Sequence, residues 1–372
     1  MPVPSSTRKL QSGRTHRKET KIKAVGYKKP LPIGHPESLL DVEVPVPRPA
    51  GRDLLVEVKA VSVNPVDVKV RASVAPDGDE YKILGWDAAG IVKEAGPETF
   101  MLKPGDEVYY AGSIARSGTN AEFHLVDERI VGKKPQSLSF AHAAALPLTT
   151  ITAWELLFDR FAVKPGNLGD SGRLLIIGGA GGVGSILIQL ARKLTGLTII
   201  ATASRPETHQ WCLDLGAHHV IDHRKPFSEQ LRAIHSPEVE YVASLAATSA
   251  HYPGLIDVLA PQGHFGLIDD PASLDALPLK RKAASLHWEF MFTRSLFETR
   301  DMIAQHRLLN EVSELVDAGV IHTTFAESFG AINAARLKKA HALIESGRSR
   351  GKIVLEGFSS DTEVRDLSVS GS

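Results

Sequence analysis

The six residues Gly179-Ala180-Gly181-Gly182-Val183-Gly184 follow an apolar stretch at 174–177 and precede an amphipathic one at 185–194. A Gly-x-Gly-x-x-Gly pattern is loose by itself. Between a strand and a helix it has a specific chemistry. The first glycine admits a tight turn, the second lets a pyrophosphate approach the backbone, and the third lets helix and strand pack closely. A helix opening there points unpaired N–H groups and the positive end of its dipole at the phosphates. The end of the next strand, about 20 residues on, selects the cofactor, because a carboxylate there binds the ribose hydroxyls of NAD. Ala203, Ser204 and Arg205 stand there instead. Ser204 offers a hydrogen bond and Arg205 a charge-assisted one to a 2′-phosphate, which a carboxylate would repel. NADPH is the expected cofactor.

The surrounding elements support such a site. From residue 173 onward, apolar strands alternate with helical stretches, the pattern of a parallel sheet with helices on both faces. Ser244 and Leu245 end one of these strands, and Gly266, Leu267 and Ile268 end another. Ligands bind at such carboxyl ends, so these five residues join the three glycines, Gly182, Val183, Ser204 and Arg205 as candidate cofactor contacts. The first half of the chain differs. Short strands at 54–64, 89–96, 106–112 and 121–127 lie between Gly and Pro, as in a mainly β domain. A helical spacing of apolar residues begins near 139 and recurs at 151–161. The stretch 301–358 reads as helices followed by a final strand.

Composition narrows the function. The 372 residues carry 43 basic and 43 acidic side chains, so overall charge gives no case for nucleic acid or a membrane surface. The single cysteine, Cys212, excludes an intrachain disulfide and a cysteine-rich zinc site. Two tails, 1–21 and 359–372, are polar and read as disordered. The basic leader admits organelle targeting as an alternative to the cytoplasmic location expected of the rest.

Seven stretches in order, VSVNPVDVKVR, LGWDAAGIV, PGDEVYYAG, LPLTTITAWELL, LLIIGGAGGVGSILIQLAR, LGAHHVIDHR and GKIVLEGF, resemble the medium-chain dehydrogenase/reductase superfamily. The resemblance is to its zinc-free quinone oxidoreductase branch, in particular the group labelled zinc-type alcohol dehydrogenase-like. It implies an α/β fold: a GroES-like β domain at 22–151, a Rossmann doubly wound parallel-sheet domain at 152–300, and a return to the first domain at 301–358. The cleft between them would be the active site, and a homodimer is expected. Thr152 matches a position beside the nicotinamide, with a helix-start hydroxyl as the alternative.

The same resemblance argues against zinc. Asn64 stands where the zinc-dependent relatives have a cysteine ligand, Trp86 where they have a histidine, and Asp87 where they have a glutamate. No metal site is expected; the histidines at 218, 219 and 223 read as a strand and its turn. Without a Lewis acid, hydride transfer suits an acceptor that is already electrophilic, a quinone or an α,β-unsaturated carbonyl. Asn64 and Asp67 of the NPVD stretch are the catalytic candidates. Asn64 would orient the acceptor oxygen or the nicotinamide amide, and Asp67 would hold the loop. An Asx-type turn at Pro65 is the alternative. Lys69 and Arg71 face either solvent or the cleft. The aromatic stretch 287–292 lines a pocket or packs in a core or dimer contact. No side chain announces itself as a general acid. An alcohol or carbonyl dehydrogenase with an unseen metal site, and a non-enzymatic NADPH-binding sensor, stay open as alternatives.

Overall fold

The computed structural model describes residues 20–76, 78–169 and 172–358, so the expected tail and nearly all of the expected leader lie outside the described residues. The long strand Asp53–Val63 organises the first domain. Its β-branched, apolar residues bury Leu54, Val56, Ala60 and Val61 completely. It pairs antiparallel with Asp87–Ala95 and with Phe123–Asp127. Its later residues also pair with Lys352–Glu356, which runs parallel to Phe325–Ser328. The chain therefore returns to its first domain at the C-terminus. A second small sheet orders Leu40–Pro45, Lys21–Tyr27 and Lys82–Ile83.

The second domain carries six strands in the order His219–Ile221, Thr198–Thr202, Arg173–Ile177, Val239–Ser244, Leu259–Leu267, Ser285–Trp288. Every pairing among them is parallel. Leu174, Leu175 and Ile176 are fully buried, which is why this strand reads as an unbroken apolar run rather than an alternation. Strand order reverses on either side of Arg173–Ile177, which places a switch point at the glycine loop that follows it.

Three local features differ from the expectations. The NPVD stretch is the start of a helix, Pro65–Ser73, with Asn64 as its N-cap and Pro65 pre-set in its first turn. The stretch 287–292 is split. Ser285–Trp288 is the edge strand, and the chain then turns so that Phe290, Met291 and Phe292 face the interdomain cleft. The helix expected at 151–161 starts earlier, at Pro147, and its last turns widen into a π-helix over Glu155–Arg160. Phe161 N–H there reaches back five residues to the Leu156 carbonyl. The wide turn accompanies a pair of clamps: Glu155 binds Arg294 at 2.6 Å and Arg160 binds Glu289 at 2.8 Å.

Candidate active site

A cleft of about 570 Å³ separates the helix Pro65–Ser73 and its neighbours from the carboxyl ends of the parallel strands. Gly178, Ala203, Leu245 and Ile268 each line it directly after a strand or one residue further on. The glycine loop forms one wall. Gly178 turns the chain at φ +82°, a left-handed conformation that a side chain disfavours. Gly181 then caps the 13-residue helix Gly182–Leu194. A Cβ built on Gly181 would touch only the Gly178 oxygen, at 3.4 Å, so its face is open to the cleft. The first N–H groups of any helix lack intrahelical partners. An open glycine face at a helix N-terminus fits a dinucleotide pyrophosphate.

The glycines divide their work differently from the expectation. Gly178, which the motif omits, makes the tight turn. A Cβ on Gly179 would lie 2.8 Å from Ala201 Cβ and 3.1 Å from the Cys212 sulfur, so Gly179 serves packing and does not line the cleft. Gly184 packs helix on strand, its Cβ position being 2.4 Å from the Gly178 oxygen. Gly182 and Val183 line the cleft, and Gly182 abuts Thr149 and Lys352 of the other domain.

At one end, Ser204, Arg205, Thr208 and His223 come together with Arg348 and Ser349 of the C-terminal segment. Arg205 donates to the Arg348 carbonyl at 3.1 Å and is ion-paired with Glu207 at 3.1 Å. Arg348 was not legible as a site residue, because it lies 143 residues beyond Arg205 and arrives by the return of the chain. His223 is separated from His218, whose Nδ1 accepts from Ile199 N–H at 2.9 Å. Among the described residues, no group of three or more His, Cys, Asp or Glu is arranged to hold a metal ion.

The other end is a buried polar network roofed by aromatic rings. Asn64 lines the cleft and is 1% exposed. Its Nδ2 donates to Asp87 at 2.8 Å, and its Oδ1 accepts from Lys352. The amide is thus committed at both ends inside the protein. Beside the expected role of orienting the acceptor oxygen or the nicotinamide amide, the amide links Asp87 and Lys352. Asp67 sits in the first turn of the helix Pro65–Ser73. It accepts from Asn64 N–H at 2.7 Å and from Gly85 N–H at 2.9 Å, and does not line the cleft. Burial pushes its carboxyl up to about 7, against the pull of those hydrogen bonds and of Lys352. Trp86 packs edge-on to Phe292 at 5.8 Å and donates its indole N–H to the Ser113 carbonyl.

Thr152 lines the cleft, its hydroxyl donating to the Leu148 carbonyl one turn back. Lys69 lines the mouth and pairs across it with Asp270 at 2.7 Å, whereas buried Arg71 turns away to Glu345. Besides Gly179, three expected contacts fall outside the cleft wall. The Ser244 hydroxyl is buried against Thr248 at 2.7 Å, Gly266 is packed beneath Leu156 and Phe161, and Leu267 is fully buried. Only Ile268, one residue past the strand, and Leu245 reach the ligand space. Glu289 lies within the aromatic stretch 287–292 but was not singled out there as a buried acid. Burial and the adjoining Glu155 charge raise its carboxyl to about 9.

The comparisons with known proteins give the family and the fold. Residues 50–136 match the alcohol dehydrogenase GroES-like domain, and residues 215–355 match the zinc-binding dehydrogenase family. A zinc-type alcohol dehydrogenase-like protein of Staphylococcus epidermidis is 36% identical over 336 residues, covering 90% of this chain and 99% of its own. The chain belongs to the medium-chain dehydrogenase/reductase superfamily. Among solved members, a Rhizobium etli CFN 42 protein that carries the name of a zinc-dependent alcohol dehydrogenase superimposes with a TM-score of 0.88. It is 57% identical and covers 92% of this chain and 100% of its own. The Escherichia coli quinone oxidoreductase, solved with NADPH, superimposes with a TM-score of 0.76 at 26% identity, covering 90% and 99%. Zinc appears in several of these names, yet the residues present do not fit it. An amide already bonded at both ends and an indole do not replace thiolate and imidazole as ligands.

Proposed function

We propose that this member of the superfamily is an NADPH-dependent reductase that passes hydride to a quinone or an α,β-unsaturated carbonyl without a metal. The observation that carries the reading is the join of two surfaces in one cleft. An open glycine cradle with cationic side chains beyond it faces a reacting end lined by amide, ammonium and aromatic groups. Bound NADPH would supply the hydride. Gly181, Gly182 and Val183 would hold its pyrophosphate at the helix N-terminus. Ser204, Arg205 and Arg348 would receive the 2′-phosphate, with Arg205 exchanging Glu207 for it. Thr152, Leu245 and Ile268 would bound the nicotinamide. Phe290, Met291 and Phe292 offer apolar faces to a flat acceptor. A proton from solvent completes the reduction. The E. coli quinone oxidoreductase bound to NADPH supports both cofactor and acceptor class.

The test is NADPH and NADH oxidation measured side by side against quinones, enals and enones. The expected result is NADPH oxidation with at least one of these acceptors, at a higher kcat/KM than for NADH. Tight NADPH binding with no turnover on any acceptor would return the chain to a non-enzymatic binding role.

A further inference from the structure

Lys352 is 2% exposed, yet it lines the cleft. Its backbone is pinned from both sides. Gly351 N–H bonds the Ala180 carbonyl of the glycine loop at 2.9 Å, and Lys352 N–H bonds the Thr324 carbonyl at 2.9 Å. Its stem passes under the phosphate-binding helix, with Cδ 3.0 Å from where a Gly182 Cβ would sit. The ammonium ends among three oxygens: the Val63 carbonyl at 3.1 Å, Asp87 Oδ2 at 3.1 Å, and Asn64 Oδ1. Asp87 is equally occupied. Its Oδ2 also accepts from Ser62 at 2.7 Å and Asn64 at 2.8 Å, and its Oδ1 from Leu148 N–H at 2.7 Å.

Such an ion pair is a poor device for stability, since apolar residues of similar volume stabilise a core as well or better. Its arrangement is directional. Asp87 is fully buried and absent from the cleft wall, whereas Lys352 and Asn64 are on that wall. The ammonium's three donors are taken by Val63, Asp87 and Asn64, so toward the ligand space it can act only as a fixed charge, not as a hydrogen-bond donor. Asp67 is a second acid near the ammonium and it too stays off the wall; the acids on the wall are Glu289, whose carboxyl burial pushes up to about 9, and Asp269 and Asp270. Beside Met291 and Phe292, both nearly fully buried on the cleft wall, a pre-set charge acts more strongly than in water on charge that develops during reaction.

We propose that Lys352 is the fixed cation of the reacting end: it holds the Asn64 amide in place and stabilises the negative charge that forms on the acceptor oxygen as hydride arrives. This rests on the reductase reading. The hydride enters the acceptor, its oxygen gains the electron pair, and solvent later supplies the proton. Lys352 keeps its own proton throughout, which makes it a positioning and electrostatic residue.

Lys352→Met alone strands Asp87, so the decisive protein is the double variant Lys352→Met, Asp87→Asn, which removes both charges. Two readings are taken on wild type and double variant. One is single-turnover NADPH oxidation by benzoquinone. The other is the absorbance titration of 4-nitrophenol bound to the protein loaded with NADP⁺, which reports phenolate stability with no turnover. The double variant is expected to bind NADPH about as well as wild type and to melt lower, because the Val63 carbonyl and Asn64 Oδ1 lose their donor; the nitrophenol titration separates that loss from the charge effect. Its hydride transfer should be roughly tenfold to a thousandfold slower. The bound nitrophenol should ionise at lower pH in wild type than in the variant. A double variant at wild-type speed, or an unchanged or reversed nitrophenol midpoint, overturns the assignment. A wild type that reduces no quinone, with the nitrophenol midpoint still depending on Lys352, removes the quinone reading and leaves the ammonium assignment standing.

Discussion

The two ends of the cleft are built on opposite plans. At the end proposed for the cofactor the wall is backbone: Gly178 supplies a left-handed turn, Gly181 an open face, and the helix Gly182–Leu194 its N-terminus. At the reacting end it is made of side chains that are already bonded to each other, with Asn64, Asp87 and Lys352 closing a ring below aromatic residues. A backbone site needs few residue types, and those types recur at fixed spacing. A charge network can be assembled from any part of the chain that the fold brings close. The first plan tolerates side-chain change around it and fails when a Cβ is added. The second tolerates no unpaired member.

That contrast sets the order of expected effects. The largest is at the cradle. Gly181→Val places a branched side chain where only the Gly178 oxygen is near, so the fold should survive while the cofactor is excluded. NADPH affinity by calorimetry should fall at least about a hundredfold, which is roughly 3 kcal/mol, with the melting temperature little changed. Normal NADPH binding by this variant would break the distinction between the two ends. Next, Arg205→Ala should cost NADPH about 1.5–3 kcal/mol, the scale of a hydrogen bond to a charged group, and leave NADH nearly untouched. Equal losses for the two cofactors would move Arg205 out of the phosphate site.

The reacting end should respond through stability first. Asp67 uses both oxygens as acceptors, from Asn64 N–H and Gly85 N–H, so Asp67→Asn must set an amide NH₂ against one of those donors. Unfolding free energy should drop by about 1–3 kcal/mol, read by urea titration, with hydride transfer falling alongside it. An unchanged titration midpoint would show that the helix start does not depend on this carboxylate. The smallest effect concerns the acid cluster around Glu289, which itself lies on the cleft wall. Glu289 faces Glu155 and Arg160, with Arg294, Asp159 and Asp301 completing the cluster. Its carboxyl ionises near 9 when folded, against an ordinary value of 4.5, so the folded chain holds the extra proton across that interval. Stability from this group is therefore complete at low pH and is lost as pH rises toward 9. Between pH 6 and 9.5 the wild type should lose roughly 2–6 °C more in melting temperature than Glu289→Gln, whose amide resembles the protonated acid. Parallel slopes for the two proteins would remove Glu289 as the source.

The same contrast explains what could be read from residue order alone. The parallel sheet, the β domain and the C-terminal return were legible from strand rhythm and from the resemblance, because burial on both faces imposes long apolar runs such as Leu174–Leu175–Ile176. The cradle was legible as a cluster, although its individual roles were not. Whether a glycine turns, packs or opens depends on neighbours such as Ala201 and Cys212 that are distant in the chain. Ser244, Gly266 and Leu267 were misplaced by one or two residues, since strand ends are where the chain leaves the sheet for the ligand space. Lys352 and Arg348 carried no signal of their own. Each enters the cleft only because the strand Lys352–Glu356 closes the first sheet against Asp53–Val63.

The central claim is that the reacting end works through its own side chains and needs no metal. It is tested most directly by stopped-flow NADPH oxidation with a quinone, on protein treated exhaustively with chelator and analysed for metal by mass spectrometry. Activity should survive at its untreated level with metal far below one per chain. Stoichiometric zinc in the active protein, with activity lost on its removal and restored on its return, would contradict the account.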